Sequence, residues 1–383
     1  MAELIAAARI AVLLHSLEGG GGAQRRVVEL VNGFVGEGRA VDLIIAGPGG
    51  ALESLLSPDV RVIAVDGSPR SLREHLERDA PDVLLAGAAA VHRLAVESMP
   101  RPRSFPLVLR ASSHPFRTLP KSMPLERLRE QVRRRGRIAC YAAAELIIAV
   151  SEDVAAAIRQ RLPDARLMVS HDPVVTDRFL AAADKPVSLP WPDPNVPLVL
   201  GVGRFALAKD YPTLLRAFAL LRANRAARLV IVGGGSAAER ASLLGLARKL
   251  GIEDDFALPG ETDAVAAWLR QASVFVSSSL WEGASGALIE ALAMGCPAVA
   301  TSSVGSAAQL LQGGELGAIV PPSDPPAMAK AIAAQLDDPP DRGRLVAAAD
   351  PFRQHRQAHD YLAAIDTCLS DFRRRRSSSQ GTA

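Results

Sequence analysis

Cysteine, aromatic side chains and surplus charge are all scarce in this 383-residue chain, and each scarcity removes a class of function. The three cysteines, Cys140, Cys296 and Cys368, are odd in number, far apart and free of C-x-x-C spacing. They imply neither a disulfide framework nor a zinc site, and they fit a reducing cytoplasmic setting. Aromatics make up 4% of the residues and never interleave with a basic stripe, which argues against base stacking on single-stranded nucleic acid. With 44 basic against 41 acidic side chains, a net charge of +3 gives bulk electrostatics no reason to attract nucleic acid either. Uninterrupted apolar runs stay short of the roughly 20 residues of a membrane span. The opening residues 1–14 are apolar but interrupted by Arg9 and lack a small-residue cleavage site, so they are expected to supply the first strand.

What the chain does have is length and periodicity. At 49% apolar it can bury cores of two ordinary domains. In the first half, apolar runs at 10–15, 41–46, 60–65, 83–86, 107–110 and 146–150 alternate with helical patterns, and a second series follows at 198–203, 228–233, 256–259, 273–277, 298–301 and 318–320. Such alternation predicts two α/β domains with parallel sheets, and two similar halves imply a cleft between them. The expected organisation is an N-terminal domain over 1–180, a proline-rich linker over 181–197 and a C-terminal domain over 198–350. A helix with Tyr361, Leu362, Ile365 and Leu369 on its apolar side is expected over 351–372, followed by a disordered basic tail over 373–383.

One stretch combines three structural phases. Val274, Phe275 and Val276 suit a buried strand, a turn with Gly283 and Gly286 follows, and Leu288, Ala291 and Leu292 recur at helical spacing until Gly295 and Pro297 stop the helix. This puts Glu282 on the loop at a strand's carboxyl end, where open α/β sheets bind ligands, and Glu290 in the first turns of the helix. Free backbone N–H groups around residues 283–286 would bind an anion or a polyol oxygen there. Upstream, Gly201-Val-Gly-Arg-Phe-Ala-Leu-Ala-Lys209 is a strand running into a glycine turn with two cations, Arg204 and Lys209. Such a pair can clamp a diphosphate and stabilise the charge that grows on it as a leaving group.

The ordered elements G-R-x4-K and E-x7-E, at these positions and with this interval, resemble the signature of glycosyltransferase family 4; the likeness is strong over 197–340 and looser over 8–180. The resemblance implies a GT-B fold, two Rossmann-like doubly wound domains facing a central cleft, and retaining transfer of a sugar from a nucleotide-diphosphate sugar to a hydroxyl acceptor. It also implies roles: Glu290 on the ribose hydroxyls, Glu282 on a hydroxyl of the donor sugar, and Arg204 with Lys209 on the diphosphate. Backbone N–H groups of Gly283, Ala284, Ser285, Gly286 and Ala287 would complete the donor site, with Gly203, Gly233 and Gly260 bordering it. No D-x-D pair, the usual carboxylate ligation for magnesium or manganese in such transfers, occurs in the chain, so no metal and no cofactor beyond the donor substrate is expected. Ala284 and Ser285 replace the commoner Phe and Gly or Pro, and Gln309 stands where the family often has a glutamate. These departures keep open a second reading, a catalytically degenerate nucleotide-sugar-binding partner protein.

The segment from Gly233 to Ala238 also matches G-x-G-x-x-A, a dinucleotide fingerprint when it stands with a well-placed acidic residue in the next strand; none is present, so it reads as a tight turn beside the nucleotide. In the first domain the four glycines at 19–22, ahead of Gln24 and Arg26, resemble the family's G-G-A-E-R loop, in which Gly21 and Gly22 would approach the donor phosphates or the acceptor; a flexible loop is the alternative. His114, after the strand at 107–110, resembles the histidine that family members present to the donor sugar. His15 is a weaker candidate, His92 is read as a surface residue, and Ser151 as a helix cap rather than a nucleophile.

Residues 121–137, beginning with Lys121 and ending with Arg137, form a basic amphipathic pattern with Leu128 and Val132 as its apolar stripe. It suits either a solvated helix face or peripheral contact with anionic lipid. Lipid contact at the inner face of the cell membrane would fit a glycan acceptor that is lipid-linked or of lipopolysaccharide type, as in cell-envelope polysaccharide synthesis.

Overall fold

The computed structural model of the chain describes residues 8–18, 22–112, 116, 124–193, 195–282, 285–303 and 306–380, with backbone alone for 124–130 and 379–380. Two compact units emerge: one runs to Pro173 and resumes at Gln354, and the other is Val174–Arg353.

The first unit is a seven-stranded parallel sheet of β1 (Ile10–Leu14), β2 (Val41–Ile45), β3 (Arg61–Ala64), β4 (Val83–Ala86), β5 (Leu107–Ala111), β6 (Leu146–Ala149) and β7 (Leu167–Val169), in the order β3-β2-β1-β4-β5-β6-β7. The central strands are Leu-, Ile- and Val-rich and wholly buried, as a sheet covered on both faces requires. β7 escaped the sequence reading because it is only three residues long and half-buried, so its apolar run is too short to stand out. The second unit is a six-stranded parallel sheet of β8 (Leu198–Val202), β9 (Arg228–Val232), β10 (Phe256–Gly260), β11 (Val274–Ser277), β12 (Ala298–Thr301) and β13 (Ala318–Val320), in the order β10-β9-β8-β11-β12-β13. Every one of these six strands falls on an expected apolar run.

Both sheets reverse direction of growth once, between β1 and β4 and between β8 and β11. Crossover connections leave that point on opposite faces and open a crevice outside the strands' carboxyl ends. The loops after β8 and β11, which carry the cation motif and the glutamate motif, therefore flank the second unit's crevice.

Two expected boundaries are corrected. The chain leaves the first unit at Pro173, before the proline-rich stretch, and returns at Gln354. Residues 174–183 belong to the second unit, where Val174, Val175 and Phe179 enter its core beside Phe352. The main-chain N–H groups of Val174 and Val175 both donate to the Phe352 carbonyl, at 3.1 and 3.0 Å. The stretch 184–197 is not a free linker but is fastened to the same unit. Lys185 pairs with Asp263, the Trp191 indole donates to the Asp254 carbonyl at 2.6 Å, and Arg228 stacks over the Trp191 ring at 5.1 Å. Proline richness ruled out a helix there, but packing decided which unit owns it.

The C-terminal helix spans Gln354–Gln380, longer than expected at its end, and belongs to the first unit. It lies against the helix Gly22–Gly36, where Gly33 leaves room for Ala358 and Phe34 meets Tyr361 at 6.3 Å between ring centroids. The expected disorder from 373 onward is contradicted as far as Gln380. Arg373 pairs with Asp82, and the Arg376 guanidinium donates to the Ser104 carbonyl at 2.8 Å, so partners distant in sequence hold the basic run helical.

Candidate active site

The three glycines Gly203, Gly233 and Gly260 end β8, β9 and β10 with φ of +144°, +149° and +100°, a region that side-chain-bearing residues rarely adopt. They stack across the sheet edge: the Gly203 N–H donates to the Val232 carbonyl and the Gly233 N–H to the Gly260 carbonyl, each at 2.9 Å. A β-carbon on Gly233 would lie 2.0 Å from the Gly203 carbonyl oxygen, so this glycine is demanded by backbone proximity alone. A β-carbon on Gly203 would meet Lys209 Cε at 2.7 Å and Nζ at 3.2 Å. The missing side chain is thus the space in which the Lys209 ammonium lies.

From there Lys209 reaches across the crevice to Glu282. Its Nζ pairs with Glu282 Oε1, and the Ser279 hydroxyl donates to the same oxygen at 2.7 Å. Among the described residues Oε2 takes no hydrogen bond. The two loops are also stitched through their backbones: the Leu280 N–H donates to the Ala208 carbonyl at 2.7 Å, and the Ser278 hydroxyl to the Lys209 carbonyl at 2.6 Å. Beneath them the Tyr211 hydroxyl donates to the Gly203 carbonyl at 3.1 Å. Burial, reinforced by the negative charge of Glu282, holds that phenol above the ordinary tyrosine range, so it stays a neutral donor.

Ser285 caps the helix Gly286–Ala293, its hydroxyl accepting from the Leu288 N–H at 3.3 Å. The N–H groups of Gly286 and Ala287 carry no hydrogen bond among the described residues, as the start of a helix leaves them. Glu290 is half-buried on this helix. Gly283 and Ala284 lie outside the described residues. Arg204 is exposed; its carbonyl accepts from the Ala206 N–H at 2.8 Å, while its guanidinium makes no ion pair or hydrogen bond among the described residues. Hydrogen bonds from Ser236, and more weakly the charge of Arg204, hold Glu239 below the usual carboxylate range. Ser236 and Glu239 form the capping box that starts the helix Ala237–Lys249 after the Gly233 turn. No group of three or more His, Cys, Asp or Glu suited to a metal ion occurs among the described residues.

The structure therefore unites Lys209 with Glu282 and leaves Arg204 apart from that pair. Sequence reasoning missed Ser277, Ser278, Ser279 and Tyr211. Three consecutive serines closing a buried apolar strand were a usable signal, since hydroxyls at a strand's carboxyl end need partners once buried.

In the first unit, Gly22 opens its helix with no atom of the described residues within 4 Å of where a β-carbon would lie, and the Gln24 amide donates to Ser16 Oγ at 2.9 Å. Gly21 and His114 lie outside the described residues. His15 is exposed just beyond β1. His92 is corrected: it is buried, with Nε2 3.1 Å from the Arg110 carbonyl oxygen and its ring edge-on to Tyr141. Because a carbonyl only accepts, Nε2 carries the proton. Burial pulls the imidazole down to about 4, so it is neutral at pH 7. The fully buried Arg110 pairs with Asp172 and donates to the Gly87 carbonyl at 2.8 Å, tying together the ends of β4 and β5 and the segment just before Pro173. Ser151 caps the helix Glu152–Arg159, as expected.

Two family models match the chain. "Glycosyltransferase Family 4" covers residues 20–178, and "Glycosyl transferases group 1" covers residues 196–338. D-inositol 3-phosphate glycosyltransferase 2 of Catenulispora acidiphila is 35% identical over 213 residues, 52% of this chain and 49% of that protein. The chain thus spans about half the length of that curated relative. Lipopolysaccharide core biosynthesis glycosyltransferase LpsE of Rhizobium meliloti is 27% identical over 335 residues, 85% of this chain and 88% of that protein. In fold, sucrose-phosphate synthase from Thermosynechococcus elongatus superposes with a TM-score of 0.71 at 19% identity, covering 97% of this chain and all of that one. Anabaena HepE in complex with UDP-glucose gives 0.66 at 18% identity, over 95% and 99%. With both parallel-sheet units matched, the chain belongs to glycosyltransferase family 4, of the group 1 type and the GT-B fold.

Proposed function

We propose that this protein is a hexosyltransferase that moves a sugar from a nucleotide-diphosphate sugar to a hydroxyl on a glycan or glycolipid acceptor, with retention at the anomeric carbon and without a metal. The observation that carries this reading is the Lys209–Glu282 pair at the β8/β11 switch point, with one carboxylate oxygen held by two partners and the other taking no hydrogen bond among the described residues. Glu282 Oε2 is suited to accept a hydrogen bond from a donor-sugar hydroxyl. Lys209 and the exposed Arg204 supply fixed positive charge for the diphosphate, and the N–H groups of Gly286 and Ala287 add donors beside them. Glu290 on the same helix would take the ribose hydroxyls.

In the reaction the acceptor oxygen bonds to the anomeric carbon on the face from which the bond to the phosphate oxygen breaks. The electron pair leaves with the diphosphate, which also takes the acceptor's proton. The cations lower the barrier by stabilising that departing charge, a contribution that needs no ion other than the side chains themselves.

An acceptor of lipid-linked or lipopolysaccharide type is favoured by the named role of the Rhizobium relative and by one surface of the first unit. On the helix Pro124–Ala142, Val132 is 63% exposed and is followed by the exposed Arg133 and Arg135, a composition that can rest on anionic lipid. No helix among the described residues is long and apolar enough to cross a membrane. Binding to anionic vesicles at low salt, lost at high salt and in Arg133→Glu/Arg135→Glu, is the expected result; indifference to vesicles removes the lipid part of the reading.

The test of the whole is a thermal-shift screen against nucleotide-diphosphate sugars and nicotinamide cofactors, with and without EDTA, followed by product analysis with the donor found. A shift with one nucleotide sugar that survives EDTA, and a product of retained configuration, are expected. A shift confined to NAD or NADP overturns the reading, and donor binding with no turnover leaves a non-catalytic binding protein.

A further inference from the structure

The geometry points to Ser279 as a positioning residue that fixes which oxygen of Glu282 faces the donor. The inference rests on the assignment of Glu282 as a donor ligand made above.

Ser279 is completely buried and engaged at both its side chain and its backbone. Its hydroxyl donates to Glu282 Oε1 at 2.7 Å, the oxygen that Lys209 also holds. A serine hydroxyl has one proton, so the contact of 3.4 Å between Ser277 Oγ and Ser279 Oγ has Ser277 as its donor. The Ser279 carbonyl accepts from Thr301 Oγ1 at 2.5 Å and from Ser303 Oγ at 2.7 Å, which ties the Glu282 loop to the end of the neighbouring strand β12.

These bonds do different work. Thr301 and Ser303 hold the backbone of the loop, and they survive any change of the Ser279 side chain. The Ser279 hydroxyl gives its one proton to the carboxylate and accepts only the longer contact from Ser277. Lys209 by itself is a point charge on a flexible stem, and it attracts either oxygen of Glu282 equally well. A second, directional donor removes that ambiguity: with Oε1 claimed by both, the carboxylate plane is set and Oε2 is left without a hydrogen bond among the described residues. Ser278 holds the backbone of the other partner, through the Lys209 carbonyl. Ser278 and Ser279, just past the end of β11, thus clamp the loops that carry Lys209 and Glu282.

Removal of the hydroxyl in Ser279→Ala deletes the donor to Glu282 and the long contact from Ser277, and leaves the backbone contacts in place, so the fold is retained. The expected result is a fall in kcat of roughly 10-fold to 100-fold, the scale on which small misplacements of a reacting group act. The Kd of the nucleoside diphosphate, which lacks the sugar, should stay within about twofold. A double mutant gives the readout that general loosening would not produce. On a Glu282→Ala background, adding Ser279→Ala should cost nothing further, because the serine acts through that carboxylate. Turnover of Ser279→Ala within about twofold of the parent, or an undiminished loss on the Glu282→Ala background, overturns the proposal. A parent protein that neither binds nor turns over any nucleotide sugar overturns the functional reading, and the positioning role falls with it. An active parent with an unaffected Ser279→Ala overturns the positioning role only.

Discussion

Lys209 and Glu282, 73 residues apart in the chain, meet as an ion pair because Gly203 has no side chain to occupy the place of the ammonium. Both groups are largely shielded, with 24% and 11% of their side chains exposed, so the pairing is partly desolvated and each partner leaves an uncompensated charge if the other is removed. Glu282→Gln and Lys209→Ala should each lower turnover on the preferred nucleotide sugar by about 100-fold or more while the circular dichroism spectrum stays native. Steady-state kinetics of the two variants checks this, and unchanged turnover in either sinks its assigned role.

Gly233 and Gly260 both adopt positive φ, yet their surroundings differ. An alanine at 233 drives its β-carbon into the Gly203 carbonyl, whereas at 260 the space is open and only backbone strain remains. Gly260→Ala should cost about 1 kcal/mol and Gly233→Ala upwards of ~3 kcal/mol. Urea melts of the two variants decide it, and equal losses would refute the close-approach account.

Gly33 provides a cycle that tests the seat of the C-terminal helix. Its β-carbon as alanine would lie 2.8 Å from Ala358 Cβ, closer than such atoms pack. Gly33→Ala should therefore fail to deliver the roughly 1 kcal/mol that alanine ordinarily adds to a helix, and should destabilise instead. Ala358→Gly should relieve the clash, with a favourable coupling of about 1–2 kcal/mol in the double-mutant cycle. Strict additivity would show that the two helices do not press together there.

His92 supplies a pH dependence with a definite sign. Its folded-state value is lowered from 6.5 to about 4, so below pH 6.5 the unfolded chain takes up a proton that the folded chain refuses. Its contribution is intact above pH 6.5, is lost as pH falls through the window down to about 4, and amounts to ~3 kcal/mol in full. Denaturant unfolding at pH 7 and pH 5 should show that part of the slope vanish in His92→Gln. An unchanged slope would mean that the imidazole is accessible to solvent.

Much of this protein was written locally. Strands announce themselves through short, fully buried runs such as Leu198-Val-Leu, whose apolar character follows from burial on both faces of a parallel sheet. Glycines at 203, 233 and 260 mark the turns because backbone conformation is a property of a residue and its neighbours. Spacing alone then put Arg204, Lys209, Glu282 and Glu290 at strand ends and on a following helix. Tertiary structure decided what those residues do with one another. Nothing in the order of residues tells that Lys209 spends its charge on Glu282 while Arg204 does not, that Ser279 claims the same oxygen, or that His92 is walled in by Tyr141 and Arg110. The same holds for the ends of the units. Proline richness marks 184–197 as non-helical, and a run of arginines and serines reads as unstructured. Yet Asp254 and Asp263 bind the first segment, and Asp82 and Ser104 bind the second. Those partners lie tens to hundreds of residues away, and such contacts exist only once the chain has folded, which is why composition could not foresee them.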